Sequence, residues 1–254
     1  MCELFGMSAR FPTDVNRSLA LLRPRGGDIG PHSDGWGVAF YEGRAARVFK
    51  EPVPAAQSGC LAFMSDYGFQ SNLVIGHIRR ANPEKFGRTS ANTHPFEREF
   101  GGRSWVFAHN GKLDGLRDDS TFVSRRFKPI GETDSELAFC LLLDAIALAG
   151  EIEDLTDEAV ITAIKPLIDA FGRIGEFNFM LGDGARLYVH AHTRVSVLRR
   201  ICRESGCEQE VVLLATAPLT QEDWMPLSGL HVFAGGRELA PGAGWRRRFE
   251  GQPG

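Results

Sequence analysis

The sequence predicts an α+β fold in a single domain, built from antiparallel hairpins with helices inserted between them. Short apolar runs separated by glycine-rich turns indicate strands, and two longer apolar stretches, each opened by threonine and acidic residues, indicate helices. The 254 residues are 43% hydrophobic and 24% charged, which is typical of a globular protein. Because no repeat or low-complexity linker divides the chain, we expect one domain over 1–254, with about the last 15 residues forming a tail.

Strand signals dominate the chain. The predicted strands are 1–7, 35–41 with 45–50 as a hairpin, 72–79, 103–109, 177–181 with 186–192 as a second hairpin, 210–216 and 230–234. The glycine pairs Gly101-Gly102 and Gly235-Gly236 are typical of hairpin turns. These runs predict a largely antiparallel protein.

Helices are predicted in four places. The segment 133–136 is a capping box in front of an apolar run that extends to residue 146. A second helix starts near Thr156 and is expected to end at Gly172, with Pro166 kinking it or ending it early. Shorter helices are predicted at 13–22 and 55–69.

Composition and motifs exclude several classes of function. A formal net charge of −3 gives no electrostatic reason to bind nucleic acid or an anionic membrane. No stretch approaches the roughly 20 apolar residues that cross a bilayer, and no secretion signal is visible, so we expect a cytoplasmic protein. The five cysteines form no disulfide framework. No CxxC or nucleotide-binding glycine motif occurs, and His190 with His192 is interpreted as packing, so we expect no metal and no cofactor.

Cys2 stands directly behind Met1, at the start of the first predicted strand. Removal of Met1 would leave a thiol and a free α-amine on the same residue. An α-amino group titrates at about 7.7–8.0, near the pH at which a general base works best. Such a residue would be a nucleophile with its own base. By itself a small residue at position 2 carries no meaning, so this interpretation depends on the rest of the chain.

Five short segments occur in a fixed order along the chain. They are Met1-Cys2-Glu3-Leu4-Phe5-Gly6, Asp34-Gly35-Trp36-Gly37, Gly76-His77-Ile78-Arg79, His109-Asn110-Gly111 and Glu132-Thr133-Asp134-Ser135-Glu136. In this order and spacing the chain resembles the glutaminase domain of class II glutamine amidotransferases, which belong to the N-terminal-nucleophile hydrolases. The resemblance covers roughly residues 2 to 240 and is nearest to the type in which the glutaminase fold stands alone. It implies a four-layer αββα sandwich of two antiparallel sheets flanked by helices.

The resemblance also implies a role for each matching residue. Cys2 would attack the side-chain amide carbon of glutamine, form a γ-glutamyl thioester and release ammonia, after which water would hydrolyse the thioester. Asn110, by its side-chain amide, and Gly111, by its backbone N–H, match the donors to the oxyanion. Arg79 matches the arginine that binds the α-carboxylate, and Asp134 matches the acid that holds the α-ammonium.

Three further residues are expected to shape the site. Trp36 and Gly37 match a segment of the family that we assign to the site floor. Asn82 can hydrogen-bond in the loop that closes over substrate in the family. Pro83 follows where many relatives carry a threonine and a nearby glycine, a departure that affects this loop and not the chemistry.

Each of these residues also has a purely structural interpretation. An Asn-Gly pair after a strand is typical of a type I′ turn. Asp134 in a first helical turn would stabilise the helix by about 0.3–1 kcal/mol. Arg79 could be a surface arginine, and the segment around Trp36 could be a plain hairpin strand. The presence of all of them behind Cys2 favours the catalytic interpretation.

Three functions fit this sequence. The first is a glutaminase that supplies ammonia to a separate synthase protein, because no nucleotide-binding motif remains in the chain for a synthase reaction. The second is an amidase that cleaves a γ-glutamyl amide larger than glutamine, as the γ-glutamyl amidase of ergothioneine synthesis, which resembles this family, does. The third is a non-catalytic module that keeps the pocket for glutamine binding or for regulation. The first two require the same residues.

Overall fold

The computed structural model describes residues 2–80, 87–151, 155–204 and 207–239. These residues form thirteen strands, numbered in chain order: β1 Glu3–Thr13, β2 Trp36–Glu42, β3 Ala45–Glu51, β4 Ser71–Ile78, β5 Phe96–Glu99, β6 Ser104–Leu113, β7 Gly175–Gly182, β8 Leu187–Ala191, β9 Ser196–Glu204, β10 Cys207–Ala215, β11 Met225–Pro226, β12 Gly229–Ala234 and β13 Arg237–Glu238. Every predicted strand is present, so the strand predictions are confirmed apart from their ends.

Four α-helices connect these strands: α1 Asn16–Leu22, α2 Gly59–Tyr67, α3 Asp134–Ala149 and α4 Asp157–Ile174. Short 3-10 turns at 23–25, 55–57 and 90–92 complete the regular elements of the described residues. None of the helices in these ranges is long and apolar enough to cross a membrane.

The strands form two antiparallel sheets. The order in the seven-stranded sheet is β11-β9-β10-β1-β4-β2-β3, and the order in the six-stranded sheet is β13-β12-β8-β7-β6-β5. β1 is the central strand of the first sheet, between β10 and β4, and β6 and β7 are neighbours inside the second sheet. Cys2, which directly precedes β1, therefore belongs to a different sheet from Asn110 and Gly111, which lie on β6.

The two sheets pack face to face through an apolar layer. Because side chains alternate along a strand, one set of positions on each sheet points to the other sheet and the other set points outward. Leu4, Ala39 and Ile75 of the first sheet pack in this layer with Ala108 and Met180 of the second. Both faces of the central strands are buried, and this explains why they appear in the sequence as nearly continuous apolar runs.

Helices cover the two outer faces. On the seven-stranded sheet, Leu19 of α1 and Leu61 of α2 pack with Phe5 and Met7 of β1. On the six-stranded sheet, α3 and α4 pack over an aromatic layer that includes Phe107 and Phe177. The four layers confirm the αββα sandwich that the resemblance implied.

Two details of α4 and α3 differ from the sequence prediction. α4 does not end at Pro166 or at Gly172 but continues to Ile174. Pro166 lies on the exposed face, while Ile164 and Ile168 on either side of it are buried. A proline inside a helix removes a backbone hydrogen bond and costs about 3 kcal/mol or more in an unsupported helix. Burial of the apolar face offsets this cost.

The predicted capping box at α3 is only half present. The Thr133 hydroxyl accepts from the Glu136 N–H at 3.2 Å, as predicted. The Glu136 carboxylate accepts instead from the backbone N–H groups of Ile130 and Gly131 and from Arg98. Glu136 thus fixes the loop before α3, which leads into the site.

Candidate active site

Cys2 lies at the end of β4, across from the residues that follow that strand. Its Sγ atom is 3.3 Å from the backbone nitrogen of Arg80, which donates to it, and 3.4 Å from the Arg80 carbonyl oxygen. Burial raises the pKa of the Cys2 thiol, against the opposing effects of the Arg80 N–H and the Arg79 charge. The thiol is therefore protonated at neutral pH, so a reaction at this sulfur needs a base.

Asn110 reaches from the six-stranded sheet to the backbone of Cys2. Its side chain is fully buried, and its Nδ2 donates to the Cys2 carbonyl oxygen. An amide NH₂ group carries two donors, so a second N–H remains for another acceptor. No described residue bonds Asn110 Oδ1. The two sheets thus meet at the cysteine through this one side chain.

Gly111 continues β6, so the Asn-Gly pair does not form a type I′ turn. The strand runs on to Leu113 and pairs with β7, with Gly111 opposite Phe177. Gly111 has a φ of +157°, and a Cβ at this position would lie 1.9 Å from the Glu176 carbonyl oxygen. Only glycine fits here, because any side chain would meet backbone of the neighbouring strand.

Arg79 is buried directly after β4. Its backbone N–H donates to the Gly35 carbonyl at 2.8 Å, and its Nη1 donates to the Asp34 carbonyl at 3.3 Å. The Asp34 carboxylate binds Arg88, whose Nε lies 2.9 Å from Oδ1. Burial lowers the pKa of Arg79, whereas the nearby Cys2 and Asp34 raise it. The guanidinium remains a cation although its side chain is buried.

Asp134 is the first residue of α3 and links that helix to β6. Its Oδ2 accepts from the Leu113 N–H at 2.7 Å, and its Oδ1 accepts from the Ser135 N–H at 2.8 Å. The carboxylate is therefore fixed on the same short stretch of β6 that carries Gly111. A carboxylate in the first turn also interacts favourably with the helix dipole, which agrees with the structural interpretation of Asp134.

One cavity brings three of the predicted residues together. It has a volume of about 380 Å³ and contains Arg79, Gly111 and Asp134 in its wall. The complete lining is Arg79, Arg80, His94, Gly111, Lys112, Leu113, Asp114, Gly115, Leu116, Arg117, Asp118, Thr133, Asp134 and Ser135. Cys2 adjoins it through Arg80. A separate cavity of about 160 Å³, near Met7 and Arg200, contains none of the predicted site residues.

Trp36 and Gly37 do not line this cavity. Trp36 is packed in the outer core of the seven-stranded sheet, together with the helices. Gly37, the next residue of β2, faces the opposite side of the sheet from Trp36, and a Cβ on it would lie 2.3 Å from the His94 carbonyl oxygen. Gly37 therefore allows the segment of His94, which does line the cavity, to approach. Asn82 and Pro83 lie outside the described residues.

Buried histidines behind the site were missed by sequence reasoning. His109 bonds Ser135 Oγ at 2.8 Å through Nδ1 and the Glu176 carbonyl at 2.9 Å through Nε2, so it ties α3 to β7. His77 bonds the His109 carbonyl at 3.2 Å, and its ring lies 4.2 Å from that of His94. Burial lowers the pKa of His77 to about 3. His77 and His109 fall inside the matched segments, which was the available signal.

No group of three or more His, Cys, Asp or Glu side chains in the described ranges is placed to hold a metal ion. His190 and His192 instead bond the backbone of Phe177, through its carbonyl and its N–H respectively. Their role among the described residues is to fix β7, in agreement with the packing interpretation.

The fold of two helix-covered antiparallel sheets is shared with the glutamine phosphoribosylpyrophosphate amidotransferase of B. subtilis, which is 16% identical with a TM-score of 0.63 over 92% of this chain and 47% of that one. The family model described as "Glutamine amidotransferases class-II" matches residues 1–207, and the chain belongs to that family. The "Putative glutamine amidotransferase YafJ" of Escherichia coli is 38% identical over 245 residues, covering 89% of this chain and 94% of the relative.

Two further comparisons agree with this family. The 2.0 Å crystal structure of a "predicted glutamine amidotransferase" from Pseudomonas aeruginosa PA01 is 34% identical, with a TM-score of 0.71, and the match covers 94% of this chain and all of that one. The "Gamma-glutamyl-hercynylcysteine sulfoxide hydrolase" of Mycobacterium tuberculosis is 26% identical over 204 residues, 79% of this chain and 74% of the relative.

Proposed function

We propose that the protein hydrolyses the side-chain amide of a γ-glutamyl group through a thioester on Cys2. The observation that carries this proposal is the convergence of Arg79, Gly111 and Asp134 on one cavity, with Cys2 bonded to Arg80 of its wall and to Asn110 beside Gly111. These residues come from two sheets and a helix, and the sequence segments that contain them are far apart.

The first step is binding, which fixes the α-carboxylate and the α-ammonium of the substrate. The α-carboxylate pairs with the Arg79 guanidinium, and the α-ammonium pairs with the Asp134 carboxylate. Both partners are held by backbone hydrogen bonds, so little ordering is required when substrate binds. A ligand fixed at its Cα by two opposite charges presents its γ-amide toward Cys2.

The chemistry then needs a base, because the buried Cys2 thiol is protonated. After loss of Met1, the Cys2 α-amine takes the thiol proton as sulfur attacks the amide carbon. The former carbonyl oxygen becomes an oxyanion and accepts from the free N–H of Asn110 Nδ2 and from the Gly111 N–H. The protonated amine gives its proton to the leaving nitrogen, which departs as ammonia. Water then attacks the thioester, releases glutamate and restores the thiol.

The test combines intact mass with labelling. We expect the isolated protein to lack Met1. An electrophilic diazoketone analogue of glutamine should alkylate Cys2 with loss of N₂, adding the mass of the analogue less that of N₂ to the Cys2 peptide. Cys2→Ala should lose both labelling and glutamate release. Cys60, an exposed free thiol, provides the matched control: Cys60→Ala should label as the parent does. Labelling on Cys60 with Cys2 untouched would refute the assignment and favour a non-catalytic, glutamine-binding module.

A second candidate substrate is a γ-glutamyl amide larger than glutamine. Residues Asp114–Asp118 also line the cavity of about 380 Å³. The mycobacterial relative is named as a hydrolase of a γ-glutamyl compound larger than glutamine. A screen should compare glutamine with γ-glutamyl amides of increasing size, measuring glutamate and ammonia separately. A higher kcat/KM for a larger amide would identify an amidase that needs no partner.

If glutamine is the substrate, we propose that a separate synthase protein consumes the ammonia. Affinity capture from the native host, with and without the diazoketone analogue, should enrich one such enzyme in the presence of the analogue. Failure to enrich any amino-group acceptor enzyme, together with preference for a larger amide, would leave the catalytic residues as assigned and reject the ammonia-donor role.

A further inference from the structure

We propose that Asn178 is a positioning residue for the oxyanion hole, which it serves by holding the peptide unit that presents the Gly111 N–H. The inference rests on the proposed function, since it concerns the same hole. Asn178 lies on β7 directly opposite Asn110 and is completely buried. Its sequence context, Phe177-Asn178-Phe179 in an apolar strand, gave no reason to assign it a role.

Asn178 contacts the peptide unit between Asn110 and Gly111. Asn178 Nδ2 donates to the Asn110 carbonyl oxygen at 3.0 Å. That carbonyl belongs to the same planar amide as the Gly111 N–H. A donor at one end of an amide therefore fixes the plane in which the other end points. It also polarises the N–H, because hydrogen bonds in a chain strengthen one another by about 10–30%.

The orientation of the Asn178 amide is determined by its other partners. Oδ1 accepts from the backbone N–H groups of His192, Thr193 and Arg194 at 2.9–3.1 Å. Nδ2 donates a second bond to Thr193 Oγ1 at 3.0 Å. Three N–H donors require an oxygen on their side, so the NH₂ group must face the Asn110 carbonyl.

Gly111 makes such an external bond useful. The position requires glycine because of the close approach of Glu176, but glycine leaves the adjoining peptide planes less restricted than any other residue. A plane that must present its N–H to an oxyanion within a few tenths of an ångström needs another constraint. Asn178, itself held by the turn at 192–194, provides one from outside the cavity, without contacting substrate.

The main test is Asn178→Asp, with Thr193→Val as matched control. The aspartate keeps the size and the acceptor for 192–194 but replaces the donor to Asn110 by an oxygen. We expect kcat to fall about 10- to 100-fold, below the effect of deleting an oxyanion donor outright, with KM changed less than about twofold. Thr193→Val removes the other acceptor of Nδ2 and keeps the bond to Asn110, so its kcat should stay within about twofold of the parent.

A spectroscopic readout separates positioning from simple packing. The ¹⁵N shift of the Gly111 amide, which responds to hydrogen bonding at the preceding carbonyl, should move in Asn178→Asp and not in Thr193→Val. If Asn178→Asp fails to fold, Asn178→Ser carries the same expectations, because its shorter side chain ends before the Asn110 carbonyl and buries no charge.

The two levels of the proposal fail differently. A parent protein that neither hydrolyses γ-glutamyl amides nor labels at Cys2 would refute the proposed function. An active parent whose Asn178 variants keep kcat within twofold, or lose no more than Thr193→Val does, would overturn only the role of Asn178. An unchanged Gly111 shift in the Asn178 variants would overturn it as well.

Discussion

His77 should make the protein lose stability in mild acid. The side chain is 1% exposed and bonds the His109 carbonyl through Nε2, and its ring packs at a tilt of 34° against that of His94. Burial is the largest cause that lowers its pKa to about 3, and the neighbouring His109, Arg79 and His32 add to it, against the raising effect of the bond to the His109 carbonyl. The native state therefore excludes a proton that the unfolded chain, with a histidine pKa of about 6.5, accepts.

The sign and size follow from this difference. Stability from the neutral ring is fully present above about pH 6.5 and is lost as the pH falls from there toward 3. At pH 5, about 1.5 pH units below the histidine pKa of the unfolded chain, protonation stabilises the unfolded state, whereas the native His77 stays neutral. Between pH 7 and pH 5, His77 alone should therefore lower the free energy of unfolding by about 2 kcal/mol. Burial also lowers the pKa values of His94, His109 and His190, and these three residues add to the loss in the parent protein.

A comparison of variants isolates His77. His77→Gln keeps a nitrogen donor that can reach the His109 carbonyl but cannot titrate, so its loss between pH 7 and pH 5 should be about 2 kcal/mol smaller than that of the parent. Urea unfolding, followed by the fluorescence of the buried Trp36 and Trp105, measures both. Ile78→Val, a core change on the same strand, should lower stability equally at the two pH values. Equal pH losses in the parent and His77→Gln would refute the reasoning.

Three further predictions concern the site. Gly111→Ala places a Cβ against the Glu176 carbonyl, so glutamate release should fall at least about 100-fold and the Tm should drop. Arg79→Lys keeps the charge but loses the bidentate fork, so KM should rise about tenfold or more with a smaller change in kcat. Asp134→Asn should weaken glutamine but scarcely change a ligand without an α-amine, as measured by calorimetry, because the asparagine oxygen can still accept from Leu113.

Each result has a contrary outcome that can be recognised. An active Gly111→Ala protein would mean that β6 and β7 separate easily and that the N–H is not an oxyanion donor. Parent-like glutamine binding by both Arg79→Lys and Asp134→Asn would reject the zwitterion site and support a non-catalytic module. A selective loss in Asp134→Asn with no loss in Arg79→Lys would place the carboxylate elsewhere in the cavity.

The secondary structure and the family could be predicted from the sequence, but only part of the site could. Alternation and turn glycines predicted the main hairpins, since those signals are local. β5 and β9 were missed because their charged residues, such as Glu97 and Arg200, obscure the alternation. The helix from Thr156 was predicted, but its continuation past Pro166 to Ile174 was not. That continuation depends on burial against β7 and α3, which no local propensity contains.

The site residues show the same difference between what the sequence predicts and what only long-range contacts explain. Cys2, Arg79, Asn110, Gly111 and Asp134 were predicted through resemblance, and the structure explains their positions by long-range contacts. The Glu176 carbonyl that requires glycine at 111 is 65 residues away in sequence, and its proximity depends on the β6–β7 register. A tripeptide pattern can mark such a position, but only the paired strand supplies the physical reason.

The architecture places the proposed nucleophile, Cys2, and the proposed oxyanion donors, Asn110 and Gly111, at different sheets. The Asn110 amide bonds the Cys2 carbonyl across the interface between the sheets, while Asn178 holds the next peptide from within the second sheet. Sheets packed through a close-packed apolar layer move little relative to each other. A thiol on one sheet and donors on the other can therefore keep a fixed separation without any cofactor to align them. Preorganisation of the hole then depends on interior packing, so a cavity-forming change in that layer, far from substrate, should lower kcat more than it raises KM.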